Sequence, residues 1–255
     1  MTLSKKNQIY SLLKGIETGD SAAVTVVNEE KYIQHNPQTH EGSEGLAVLF
    51  KRLSETSPKV NIMRIFEDGD FVFAHTEYDF SRRNIGFEIF RFEDGQAVEH
   101  WDNIQQRQGP NHSGHSMVDG PTEVTDHHLT QNNRSTIQQF LHEVLIPGNT
   151  EKLENYVNID TYKEHNPGFG DDMKELIKIL SDSTSEVSNT IQYKKCHRLL
   201  AEGNFVLSVC EGILGQSRLS FYDLFRLENG KIVEHWDTTE VIPPQSEWKN
   251  NNGKF

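Results

Sequence analysis

Cysteine is scarce in this chain of 255 residues: Cys196 and Cys210 are the whole complement. Two thiols cannot form a disulfide framework, so the fold must rest on packing rather than on covalent staples. They flank the Glu202-Gly203 turn at nearly equal distances, placed to face each other across a hairpin, and read as reduced thiols. Positive charge is short as well. Lys and Arg number 25 against 38 Asp and Glu, a net charge of −13. That excess repels phosphate backbones and anionic headgroups, which argues against nucleic-acid and membrane partners. Long apolar runs are missing too. No window approaches a membrane span, and Met1–Tyr10 holds no apolar core of a signal peptide, so a soluble cytoplasmic protein is expected. Hydrophobic residues are lean at 35%, but 14 Phe, 7 Tyr and 3 Trp supply bulk for small cores.

The length leaves one domain or two open, and an internal repeat decides it. Tyr32-Ile-Gln-His35-Asn36-Pro37 returns about 130 residues later as Tyr162-Lys-Glu-His165-Asn166-Pro167. Phe90-Arg91-Phe92-Glu93-Asp94-Gly95 and Val98-Glu99-His100-Trp101-Asp102 return as Phe225-Arg226-Leu227-Glu228-Asn229-Gly230 and Val233-Glu234-His235-Trp236-Asp237. So long a period excludes a stacked solenoid and implies a duplicated domain. The expected boundaries are 1–108 for the first domain, 109–129 for a linker, and 130–255 for the second domain with a short polar tail. The linker expectation rests on Gly109-Pro110, Gly114 and Gly120-Pro121 in a stretch poor in apolar residues. Its histidines lack the fixed geometry a metal needs, and no metal site is expected there.

Each copy shows the same element pattern. Ile9, Leu12, Leu13 and Ile16, and later Ile137, Phe140, Leu141 and Val144, have the spacing of one helix face. Leu46, Leu49, Phe50 and Leu53, and Met173, Leu176, Ile177 and Leu180, repeat it. The His-Asn-Pro segments precede these second helices as loops, because the residue before a proline is pushed out of the α region. The remainder is strand, punctuated at Asp68-Gly69, Asp94-Gly95, Glu202-Gly203 and Asn229-Gly230. The expected class is α+β, with helices on one face of a curved antiparallel sheet in each half.

Paired helices, a His-Asn-Pro loop, a meander and a last strand ending Glu-His-Trp-Asp together resemble the SnoaL-like polyketide cyclases and their relatives described as aldol-condensation enzymes. The resemblance implies the cone-shaped fold shared with nuclear transport factor 2, ketosteroid isomerase and scytalone dehydratase. It also implies that Asp102 and Asp237, the terminal aspartates of the last strands, are acid/base residues, and that no cofactor or metal is used. Cones of this kind commonly pair through their sheets, so an intramolecular pseudo-dimer of the two halves, or a homodimer, is expected.

Strand register tests which face Asp102 takes. A two-residue loop at Asp94-Gly95 with no irregularity pairs Glu88 with Trp101. A three-residue loop or glycine bulge pairs Glu88 with Asp102, Phe90 with His100 and Phe92 with Val98. The bulged register is the one expected, and the same count sets Asp223 beside Asp237. Two carboxylates so close in an apolar cone cannot both ionise cheaply, and a pair whose titrations are driven apart supplies an acid and a base. His75, in phase with Phe71 and Phe73, is expected to approach Glu88. His35 and His165 are expected to enter from the helix side. The candidate catalytic set is therefore Asp102, Glu88, His35, His75, Asp237, Asp223 and His165, with Tyr32, Phe71, Phe73, Phe90 and Gln105 as substrate neighbours. His100 and His235 read as structural partners of a neighbouring strand or an interface, and Trp101 and Trp236 as packing residues.

The function implied is cofactor-independent acid/base chemistry on a small or medium apolar carbonyl compound. An intramolecular aldol condensation leads, with isomerase or dehydratase chemistry and a non-catalytic module for an apolar ligand as alternatives. Val209 replaces His75 in the second copy and Glu240 replaces Gln105, so the first pocket is expected to be the better catalyst.

Overall fold

A computed structural model describes residues 3–181 and 191–255. The chain divides into two compact units, Met1–Arg107 with Pro243–Phe255, and Gln108–Ile242. In the first unit, α1 (Lys5–Thr18) and α2 (Gly42–Ser54) precede and follow the short strand β1 (Ile33–Gln34), and β2 (Lys59–Asp68), β3 (Phe71–Asp79), β4 (Arg83–Glu93) and β5 (Gln96–Gln106) form the meander. The second unit repeats this with α3 (Thr130–Phe140), β6 (Lys163–Glu164), α4 (Met173–Ser181), β7 (Ile191–Glu202), β8 (Phe205–Leu214), β9 (Ser217–Glu228) and β10 (Lys231–Val241). The sheet orders are β1-β5-β4-β3-β2 and β6-β10-β9-β8-β7. Among the described strands, only the two-residue β1 and β6 run parallel to their neighbours. Each unit is thus an α+β fold, helices lying on one face of a five-stranded sheet.

The helices form where the apolar spacing demands. Ile9, Leu12, Leu13 and Ile16 bury one face of α1 against Val60, Val72, Ala74 and Phe90 of the sheet. Ser4 caps its first turn by accepting from the Asn7 amide, and Gly19 closes it in the left-handed region. In the second unit Ile137 and Phe140 of α3 play the same part against Val206, Phe221 and Phe225.

The hairpins set the register. Asp94 and Gly95 have φ of 50° and 83°, and Asn229 and Gly230 have 51° and 75°. Two successive positive φ values define a type I′ turn, whose twist matches the strands and which only Gly, Asn and Asp enter readily. The turn therefore has two residues. The extra residue lies further along, where Arg91 pairs with Glu99 but Phe92 pairs with Ala97, leaving Val98 as the bulge. In the second unit Val233 is bulged in the same way, between Ile232 and Glu234. Phe92 was expected opposite Val98, so the bulge sits inside the strand rather than at the turn. Beyond it the register is the expected one: Glu88 opposes Asp102, Phe90 opposes His100, and Asp223 opposes Asp237.

The linker expectation at 109–129 and the assignment of the tail to the second domain need correction. Residues from 108 onward belong to the second unit, where Asn111 Nδ2 donates to the Glu164 carbonyl at 2.6 Å and the Trp236 indole donates to Asp119 O at 3.0 Å. Residues 243–255 belong to the first unit. There Lys249 N donates to Pro37 O, and the Asn250 and Asn252 side-chain amides donate to the carbonyls of Asn36, Thr39 and Gln34. Side-chain amides that saturate loop carbonyls turn sequence that looks like a linker into ordered structure. Among the described residues no helix is long and apolar enough to cross a membrane.

Candidate active site

A strand sends alternate side chains to opposite faces, and this divides the candidate residues. Past the bulge in β5, His100, Asp102 and Ile104 turn towards the helices, while Glu99, Trp101, Asn103 and Gln105 turn away. On β4 and β3 the helix-facing set is Glu88, Phe90, Ala74 and Tyr78.

In the first unit the two carboxyls sit on the helix face and are buried, Glu88 at 4% and Asp102 at 6% exposure. Glu88 accepts from the Tyr78 hydroxyl at 2.8 Å and is 2.7 Å from His100 Nε2. The other nitrogen of His100 lies 3.0 Å from Gln34 Oε1, and its ring stacks on Phe90. Asp102 accepts from Asn36 Nδ2 at 2.8 Å. Lys254, buried, donates to the Asp102 carbonyl at 2.7 Å and holds its ammonium 3.7 Å from Asp102 Oδ1. Tyr32 stands close by, its hydroxyl pushed well above the usual phenol range by burial and by the charges of Asp102 and Glu88. Donor atoms of Glu88, His100 and Asp102 lie within 4.8 Å of one another, a set that could in principle ligate a divalent cation. Glu88 and His100 already hold each other through a short hydrogen bond, whereas Asp102 Oδ1 is buried without a hydrogen-bond partner among the described residues, with the Lys254 ammonium 3.7 Å away.

Several expected members lie elsewhere. His35 leaves the helix face: Nε2 is 2.9 Å from Glu99, Nδ1 donates to Gly253 O, and the ring stacks on Trp101 at 4.6 Å. His165 does the same with Glu234, Ser116 O and Trp236. His75 is fully buried but on the far face, bonded to Arg64 at 3.0 Å and packed on Phe87. Phe71, Phe73 and Gln105 share that far face by alternation. His75 is indeed in phase with Phe71 and Phe73, but that phase is opposite to Glu88, whose partner on β3 is Ala74. Glu240 lies one residue past the helix-facing Thr239, hence also on the far face. The expectation that the first pocket is the better catalyst rested on His75 and Gln105, so it loses its basis.

In the second unit a cavity of about 60 Å³ opens at the equivalent place, lined by Tyr162, Asn166, Tyr193, Phe221, Phe225 and Thr239 around the four titratable groups Glu164, Asp223, His235 and Asp237. His235 bridges two carboxylates, Nδ1 at 2.9 Å from Glu164 and Nε2 at 3.3 Å from Asp223. Tyr162 donates to Glu164 at 2.5 Å, while Tyr193 and Ser208 donate to the two oxygens of Asp223. Asp237 receives Asn166 Nδ2 at 2.9 and 2.8 Å.

The electrostatics follow from that packing. Burial opposes the His235 cation, but Glu164 and Asp223 on either side outweigh it and hold the imidazole well above its usual range. Burial likewise opposes the Glu164 carboxylate, but His235 and the Tyr162 hydroxyl keep it below the ordinary value. Three carboxylates against one imidazolium leave an excess of negative charge in a buried space. Asp237 absorbs it: burial first, then Glu164 and Asp223, raise its carboxyl to about 7. At neutral pH this group is part acid and part base.

Sequence reasoning missed Glu164, Tyr162, Asn166, Tyr193 and the inward role of His235. Glu164 was visible as the residue preceding each His-Asn-Pro motif, Gln34 in one copy and Glu164 in the other. Tyr193 left no signal, since it sits on a different strand from its counterpart Tyr78.

Comparison with known proteins finds the following similarities. Residues 10–100 match the model of the SnoaL-like domain family, a match that lies within the first unit and stops two residues short of Asp102. No curated protein matches the chain. Among solved structures, TsrD from Streptomyces laurentii is 21% identical over 40% of this chain and 90% of its own, with a TM-score of 0.36. IdmH from Streptomyces antibioticus, a polyketide-cyclase candidate, is 16% identical over 40% and 92%, with a TM-score of 0.36. A LEH-like epoxide hydrolase from M. tuberculosis is 21% identical over 44% and 84%, with a TM-score of 0.34.

Proposed function

We propose that the second unit is an acid/base catalyst that moves a proton next to the carbonyl of a small apolar compound without a cofactor, the step that opens an aldol condensation. The observation that carries the reading is Asp237, lining the cavity with a carboxyl raised to about 7. A general base works best when its pKa lies near the working pH, and so does a general acid, so one group can serve both halves of such a reaction. Ionised Asp237 takes the α-proton, the enolate attacks a second carbonyl, and the protonated carboxyl returns the proton to the alkoxide. Asn166 Nδ2, bonded to both Asp237 oxygens, orients the carboxyl. His235 is a positioning residue: both its nitrogens are engaged, its charge keeps Glu164 ionised, and the negative charge around it keeps Asp237 proton-hungry. Phe221, Phe225, Leu176 and Ile191 make the remaining wall apolar, suited to a hydrocarbon body. The cavity has room for several waters or for the reactive end of a small ligand.

The test uses solvent exchange, which needs no knowledge of the product. A panel of small ketones and 1,3-dicarbonyl compounds is incubated with the protein in deuterated water, and loss of α-protons is followed by NMR. Catalysed exchange that Asp237→Asn removes is the expected result. Ligands that bind in the cavity with no exchange would establish a binding module instead.

A further inference from the structure

The two cysteines lie outside the acid/base site and belong to the second unit alone. Cys196 on β7 and Cys210 on β8 are register partners across the antiparallel pair. Directly opposed residues have Cα atoms about 4.5 or 5.5 Å apart, both inside the range a disulfide spans. The Cys196 thiol donates to the Arg198 carbonyl at 3.4 Å and the Cys210 thiol to Ser208 Oγ at 3.8 Å. In the first unit the same positions hold Ile62 and Thr76, also register partners, so the thiol pair is an acquisition of the copy with the titrating cavity.

The two sulfurs differ in access. Cys210 is fully buried in the core, while Cys196 is half-buried and lines an open groove of about 750 Å³ with Arg134, Lys194, Lys195, His197 and Arg198. Glu143 is the one carboxylate among the groove's described lining residues. In a chain of net charge −13 such a basic groove is a local exception, and it favours a thiolate over a thiol at Cys196. The neighbouring Cys210 thiol works the same way, holding Cys196 below the ordinary thiol range, while Cys196 and burial hold Cys210 well above it. Cys196 is thus the attacking sulfur and Cys210 the resolving one.

We propose that Cys196 and Cys210 are a redox modification site, closed to a reversible cross-strand disulfide by a peroxide that reaches Cys196 through the basic groove. The Cys196 thiolate attacks a peroxide oxygen, giving a sulfenic acid and hydroxide. The Cys210 sulfur then attacks that sulfenic sulfur, the hydroxyl leaves as water, and the S–S bond forms. Overall two thiols and one hydrogen peroxide give one disulfide and two waters, and an external dithiol reverses the change. The tie reaches the acid/base cavity through short links. Tyr193, three residues before Cys196 on β7, donates to Asp223, and the Cys210 thiol points at Ser208, which donates to the other oxygen of Asp223. β7 is irregular here, with register shifts on both sides of Cys196, so a covalent tie at this point fixes the strand that carries Tyr193.

The test takes the reduced full-length protein, treats it with hydrogen peroxide and needs no substrate, so its failure is separate from failure of the proposed reaction. Intact mass should fall by two hydrogens, both thiols should vanish from thiol titration, and peptide mapping without reductant should recover a Cys196–Cys210 link that dithiothreitol removes. The His235 ring signals should shift on oxidation and return on reduction. Cys210→Ser should let the Cys196 sulfenic acid accumulate, and Cys196→Ser should leave Cys210 unmodified. Sulfinic acid at Cys196 with Cys210 still free in the unsubstituted protein, or chains linked to one another through Cys196, would overturn the proposal.

Discussion

The two cones share sheet order, bulge position and an opposed pair of acids, yet they differ in how their buried charge is balanced. In the first, Gln34 rather than a carboxylate faces His100, and the Lys254 ammonium stands beside Asp102. In the second, Glu164 faces His235, and His115, from the stretch that follows β5, is turned to Asp171 instead of Asp237. One neutral-to-acid replacement and one absent ammonium leave three carboxylates on a single imidazolium, so a proton is retained on Asp237. The same backbone therefore produces two electrostatic sites, and the difference lies in residues next to the conserved-looking motif rather than in it. The clamps come from matching segments. Asn111 holds the Glu164 carbonyl and Asn252 holds the Gln34 carbonyl, both within Asn-x-x-Gly stretches whose glycines, Gly114 and Gly253, have φ of 86° and 83°.

The comparison breaks most sharply in catalysis. Asp237→Asn should lower α-proton exchange by about 10² to 10⁴-fold, the usual contribution of a positioned acid/base group. Asp102→Asn should cost far less, because that carboxyl is tied to Asn36 and Lys254. Exchange rates of the two variants on one substrate decide it, and the opposite order would return the chemistry to the first cone.

Next comes pH. The Asp237 carboxyl goes from 3.8 to about 7 on folding. Between those values the folded chain holds a proton that the unfolded chain has lost, so stability falls as pH rises through that window and the loss is complete above it. Each tenfold in proton affinity is worth about 1.4 kcal/mol, which makes the whole effect about 4 kcal/mol in the second unit. His235, raised by Glu164 and Asp223, adds a further fall above its unfolded value of 6.5, whereas the lowered Glu164 loses its contribution only as pH drops below 4.5. Urea unfolding of the protein and of Asp237→Asn across pH 4 to 8 should show a steeper decline in the former; parallel curves would mean that Asp237 ionises normally.

What the sequence revealed and what it hid divide along the same lines. Repeats, hairpins and the Glu88–Asp102 pairing were legible because turn chemistry and strand counting are local. His75 was misplaced because phase within one strand does not say which face is inside until a neighbouring strand is registered against it. His35 was misplaced because a loop residue beside a proline has no phase at all. Residues 243–255 were read as a tail because side-chain amides paired to loop carbonyls carry no apolar pattern.

Lys254 tests that last point. Removing one partner of a buried charge pair leaves the other uncompensated, typically at 3–5 kcal/mol. Lys254→Met should therefore destabilise the first unit by about 3 kcal/mol, seen as faster amide exchange in β4 and β5 with β9 and β10 unchanged. Uniform exchange in both sheets would show that the contact only fills space.

The smallest effect separates the two tyrosines. Gly86 leaves room for the Tyr78 ring, since a methyl there would lie 2.5 Å from Tyr78 Cε2, and Tyr78 reaches Glu88 from β3. In the second unit Phe221 fills the position of Gly86, Gly212 replaces the tyrosine, and the hydroxyl comes from Tyr193 on β7 instead. Both hydroxyls donate to the inner carboxyl, but the backups differ. Without Tyr78, Glu88 Oε1 loses the donor it has, while His100 stays on Oε2. Without Tyr193, Asp223 keeps His235 on the same oxygen and Ser208 on the other. A hydrogen bond to a charged group contributes about 1.5–3 kcal/mol, less where another donor remains. Tyr78→Phe should thus destabilise its unit by about 2 kcal/mol and Tyr193→Phe by about 1 kcal/mol. Equal losses in chemical unfolding would mean that His235 and Ser208 do not cover for the missing hydroxyl, and that the second carboxyl cluster is no better supplied with donors than the first.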